Sequence, residues 1–87
     1  MANRAISLHT TDWKTLLQEK SQSKGIRPIY QTIAEIGFAH NRQFVSRVTV
    51  GRLSEIGSGP SKKNAEMSAA EEMLFCMEVW PDGRQRE

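Results

Sequence analysis

Apolar positions along this chain recur first at helical spacing, then in alternation, then at helical spacing again. Thr11-Asp12 offers side-chain oxygens suited to a helix N-cap, and Trp13, Leu16 and Leu17 follow at i, i+3 and i+4. The spacing predicts a first helix from Asp12 to Ser23, closing near Lys24-Gly25. Arg27-Pro28 then favours extended backbone. Ile29 to Glu35 reads as a strand with Ile29, Gln31 and Ile33 on one face and Tyr30, Thr32 and Ala34 on the other. Gly37 to Arg42 interrupts the alternation as a loop. Phe44 to Val50 resumes it, with Phe44, Ser46, Val48 and Val50 on one side. Gly51 supplies a tight turn, Leu53 to Ile56 a short third strand, and Gly57-Ser58-Gly59-Pro60 a flexible loop. From Ser61 the period becomes helical: Ala65, Ala69, Met73 and Met77 fall at steps of four, with Ala70 and Leu74 beside them.

The order helix, three strands, helix is an α+β pattern, α-β-β-β-α. A three-stranded antiparallel sheet with both helices packed on one face buries these apolar stripes. Leu17, Tyr30, Val48, Ala65, Ala69, Met73 and Leu74 are the expected core, and Trp13 is expected to pack against it. With 87 residues the chain suits one small domain. It divides into an N-terminal arm over 1–11, a folded domain over 12–80 and a C-terminal tail over 81–87.

Composition narrows the setting. No apolar run approaches the roughly 20 residues that cross a bilayer, and the N-terminus lacks the apolar core of a secretory signal. The single cysteine, Cys76, has no internal disulfide partner, which points to a reducing, intracellular compartment, cytoplasm or nucleus. Cys76 reads as a small hydrophobe at an apolar helix end, not as a nucleophile. No His/Cys cluster has zinc spacing and no Ser/His or Cys/His pair suggests catalysis. The expectation is a non-enzymatic chain without metal or cofactor.

Net charge is only +2, but it is polarised. Residues 1–63 carry ten Lys/Arg against four acids, and residues 64–87 carry two against six. The positive half ends at Lys62-Lys63, in the first turn of the second helix. Free N–H groups, the positive end of the helix dipole and two ammonium groups coincide there, an arrangement suited to phosphate.

Several pieces then fall into one order and spacing. They are Leu17-Gln18-Glu19 with Gln22, Tyr30, Gly37-Phe38-Ala39-His40 with Phe44, Gly57 through Glu66, Ala69-Ala70 and Leu74. Over about Asp12 to Leu74 the chain resembles a double-stranded RNA-binding domain. The resemblance implies three surfaces that touch one side of an A-form duplex. Gln18, Glu19 and Gln22, three and four apart on one helix face, would meet 2′-hydroxyls and base edges in the shallow minor groove. His40 would enter the next minor groove. Lys62 and Lys63, with Ser61 as N-cap, would bind phosphates across the intervening major groove, which is too deep and narrow to read. Phe38 stands where the family often has proline, and Glu66 where many members carry a basic residue. A glutamate there is expected to weaken the grip on phosphate.

The run Met73 to Trp80 is apolar at all but one position, more than one sheet can cover. Either an N-terminal arm carrying Ile6 and Leu8 folds over Phe75 and Trp80, or Phe75, Met77 and Trp80 form a surface for a homodimer or a nuclease partner. The resemblance leaves three roles open: shape-selective RNA binding, a degenerate module for protein contact, or the substrate-holding domain of a ribonuclease III-type nuclease or RNA deaminase. The segment Asp12 to Glu19 is similar to the start of this domain in ribonuclease III-type enzymes, and also in the RNA-silencing cofactors that accompany Dicer.

Overall fold

The computed structural model describes residues 12–79. Helix α1 spans Trp13–Gln22, and strand β1 spans Ile29–Ile36. A 3-10 turn at Ala39–Asn41 leads to β2, Gln43–Val50; β3, Leu53–Gly59, and helix α2, Lys62–Val79, complete the described residues. The strands form an antiparallel meander in the order β1-β2-β3. Helix α2 lies over β2 and β3, and α1 rests chiefly on α2. The expected α+β architecture is the observed one.

Helix α1 begins because Asp12 caps it. One carboxylate oxygen accepts from the Thr15 backbone N–H at 3.1 Å and the other from the Thr15 hydroxyl at 2.8 Å. These bonds, the side-chain one foremost, hold the Asp12 carboxyl below its ordinary range. Leu17 and Ser21, four apart, are the buried residues of α1, and Trp13 extends the same row against the core. Leu16 does not follow its expected stripe and stays exposed. Each helical step turns about 100°, which carries Leu16 off the row that Leu17 anchors.

In β2, Ser46, Val48 and Val50 turn inward as the alternation requires. The core joins them to Leu17, Leu53, Ala69, Ala70, Met73, Cys76 and Met77, with Trp13, Tyr30 and Leu74 packed at its margin. An irregularity between Thr32 and Ala34 shifts the β1–β2 register by one residue.

The third strand is longer than its sequence suggests. Gly57, Ser58 and Gly59 are no flexible loop; they pair with Ser46, Val45 and Phe44 in the β2–β3 ladder. A Cβ on Gly57 would stand 2.1 Å from the Ala69 backbone nitrogen and 2.5 Å from the Ser68 carbonyl carbon. Missing side chains on β3 therefore let the α2 backbone settle directly on the strand, and Ala65, Ala69 and Ala70 are fully buried at that seam.

The apolar end of α2 is also corrected. Met77 is only 4% exposed and belongs to the core, so it is not available as a partner surface. Its position, four beyond Met73, keeps it on the inward stripe. Phe75 does face out, at 65% exposure. Ile6, Leu8 and Trp80, and with them the proposed arm, the tail and the boundaries at 11 and 80, lie outside the described residues. Among the described residues, no helix is long and apolar enough to cross a membrane.

Candidate nucleic-acid interface

The start of α2 is built by Ser61. Its hydroxyl accepts from the Asn64 backbone N–H at 3.1 Å and donates to the Asn64 side-chain oxygen, fixing the first turn from outside the helix. Ser61 is thereby engaged on both sides as the N-cap, and Lys62 and Lys63 emerge exposed from the turn it orders.

Gln18, Glu19 and Gln22 are all exposed on α1. Gln18 and Gln22 line one depression together with Pro28, about 280 Å³ in volume. Gln18 also lines a larger cleft of about 470 Å³ between α1 and α2, and Lys63 forms part of its opposite wall. Glu19 lines neither. His40 lines a third depression with Arg42, Phe44 and Pro60, the residue that leads into the Ser61 cap. Lys63 thus shares a cleft with Gln18, and Pro60, just before α2, shares a depression with His40.

Backbone geometry sets the His40 side. Gly37 has φ +99°, and a Cβ there would meet the Asn41 carbonyl oxygen at 2.5 Å. Only glycine takes that turn without strain. The Asn41 N–H donates to the Phe38 carbonyl at 2.8 Å, closing the 3-10 turn that carries His40. Phe38, in extended conformation, exposes 83% of its surface beside it.

Lys14 is the member of this surface that reading the sequence missed. Its ammonium meets the Glu66 carboxylate at 2.5 Å inside the α1–α2 cleft and sits 4.8 Å above the Tyr30 ring. Burial, with the Glu66 and Asp12 carboxylates second, pushes the Tyr30 phenol up to about 12. The available signal was that Lys14, Gln18 and Gln22 recur at steps of four. A second ion pair, Arg42 to Glu35 at 3.6 Å, flanks the His40 turn.

The family model for the double-stranded RNA binding motif matches residues 13–74, which hold every candidate residue named above from Lys14 to Glu66. The chain belongs to the double-stranded RNA binding motif family. Among relatives of the motif, ribonuclease 3 of Bacillus cereus (strain AH187) is 49% identical over 74 residues, covering 83% of this chain and 30% of the ribonuclease. The chain therefore spans under a third of the length of the curated relatives it matches. Among solved structures, Arabidopsis HYL1, studied for its implications for miRNA processing, is 30% identical. That match has a TM-score of 0.67 and covers 76% of this chain and 96% of that one. The second double-stranded RNA-binding domain of DRB4 is 35% identical with a TM-score of 0.58, covering 76% of this chain and 94% of that one.

Proposed function

We propose that this domain binds double-stranded RNA by the shape of the A-form helix and performs no chemistry of its own. One observation carries the reading: Lys63 of the exposed pair shares a cleft with Gln18, while Pro60, just before the same helix, shares a depression with His40. A phosphate-binding centre accompanied by two further polar surfaces matches a minor–major–minor groove succession, which spans about 16 base pairs. Lys62 and Lys63 take phosphates across the major groove. Gln18, Glu19, Gln22 and His40 meet the minor grooves, where 2′-hydroxyls distinguish RNA from DNA. Ser61 contributes as the cap that orients the lysines.

The identity to a ribonuclease 3 and the likeness to HYL1 support a place in RNA processing or RNA silencing. In such a setting the chain holds substrate for a nuclease, of Dicer type or another, that supplies the reaction. A reducing intracellular compartment suits Cys76, the single cysteine of the sequence, which is buried. A second reading, protein contact, rests on Phe75, exposed on α2 with Glu71, Glu72 and Glu78 on the adjoining turns.

Titration with a ~20-base-pair RNA duplex, the matching DNA duplex and single-stranded RNA, each at two salt concentrations, tests the proposal. The RNA duplex is expected to bind ahead of both competitors and to weaken with salt. Equal binding of all three would refute shape recognition. No binding to any would leave protein contact as the reading.

A further inference from the structure

Glu66 occupies an unusual place. It lies three and four residues before Ala69 and Ala70, on the stripe of α2 that becomes the buried core one turn later. A carboxylate on such a stripe needs a partner, because partial burial without one is costly. The partner is Lys14 of α1, at 2.5 Å, with the two side chains 36% and 24% exposed. Lys14 is confined from the other side by the Tyr30 ring. The pair therefore joins two helices at one defined point, and α1 has its main support on α2.

The position of that joint relative to the binding residues gives it meaning. Lys14 precedes Gln18 by four residues on one face of α1, and Glu66 follows Lys63 by three on α2. All four line the same cleft. We propose that the Lys14–Glu66 pair is a positioning element that holds the minor-groove residues of α1 at a fixed spacing from the phosphate-binding lysines of α2. On this account Glu66 supports RNA binding. Its charge is taken up by Lys14 and does not confront the phosphates. The inference rests on the RNA-binding reading above and adds to it the spacing of two of its three surfaces.

The sign of one substitution separates this from simple repulsion. Removing a negative charge that opposes phosphate must tighten binding, whereas removing a spacer must loosen it. Affinity for the ~20-base-pair RNA duplex is measured for wild type, Lys14→Gln, Glu66→Gln and the double variant, with circular dichroism and melting confirming that each is folded. Positioning predicts that Glu66→Gln weakens binding about two- to fivefold, the range such a pair commands. The slope of log affinity against log salt should stay unchanged, since the number of phosphate contacts is the same. The double variant should bind no more weakly than the weaker single one, because the joint is lost only once. Glu66→Asp, which keeps the charge but shortens the reach, should also weaken binding. If wild type binds and Glu66→Gln binds equally or more tightly, the positioning role is overturned while the proposed function stands. If Glu66→Gln lowers the melting temperature but leaves affinity untouched, the pair is merely structural and the inference fails in the same way. A folded wild type that binds no duplex would overturn the proposed function itself.

Discussion

The short stretch from Gly57 to Ala69 shows two opposite faces of one design. On the inward face, Gly57 and Gly59 of β3 lie against Asn64, Ala65, Ser68 and Ala69 of α2 with no room for another carbon. On the outward face, Lys62 and Lys63 are exposed, and neither belongs to the core. The difference teaches that glycine and lysine, neighbours in the same motif, serve separate ends. The glycines let the helix settle directly on the sheet, and the lysines are, in the proposed function, the groups that meet phosphate. Stability and binding should therefore come apart under mutation.

The strongest way to break that separation is Gly57→Ala. The added methyl has only backbone to displace, so overpacking should cost about 3 kcal/mol, the upper end of the usual range. Chemical denaturation reads this directly, and a variant as stable as wild type would show that the seam is looser than its distances indicate. On the other face, Lys62→Ala/Lys63→Ala should leave the unfolding midpoint where it is. Affinity for the RNA duplex should fall about tenfold or more at low salt, with the log–log salt slope shallower by about 2. A double variant that binds unchanged would remove the lysines from the interface. Ser61→Ala sits on the boundary between the faces and should sharpen the comparison with the smallest effect. Loss of the cap should cost about 1 kcal/mol in unfolding and only a modest part of the affinity.

The fold was largely legible because its signals are local. The steps of four in α2, the alternation in β2 and the capping oxygens of Asp12 and Ser61 each act over a few residues and appear where expected. Leu16 and Gly57-Ser58-Gly59 were misread for a common reason: propensity describes a residue alone. A leucine beside a buried leucine looks buried until the 100° step is fixed, and glycines look like a loop until a helix lies across them. Met77 already stood on the stripe that begins at Ala65, and its place there, not the apolar run around it, decides its burial. The site divides in the same way. Gln18, Gln22, His40 and the lysines carry recognisable spacing, but the joint between Lys14 and Glu66 crosses 52 residues of chain. No periodicity within either helix announces it, and only the docking of α1 on α2 reveals that a residue read as an opponent of phosphate has a cation of its own.

That same 52-residue separation bears on the order in which the molecule assembles. The strands join only chain neighbours, and α2 follows β3 across no more than Pro60-Ser61. Everything from β1 to α2 can therefore close through short loops, while α1 has its main support on the last helix. Helix α1 is then expected to dock last and to lift away first. Native-state hydrogen exchange should find the α1 amides opening at lower free energy than those of β2 and α2. Each such opening must break the Lys14–Glu66 pair and carries Gln18 and Gln22 away from the start of α2.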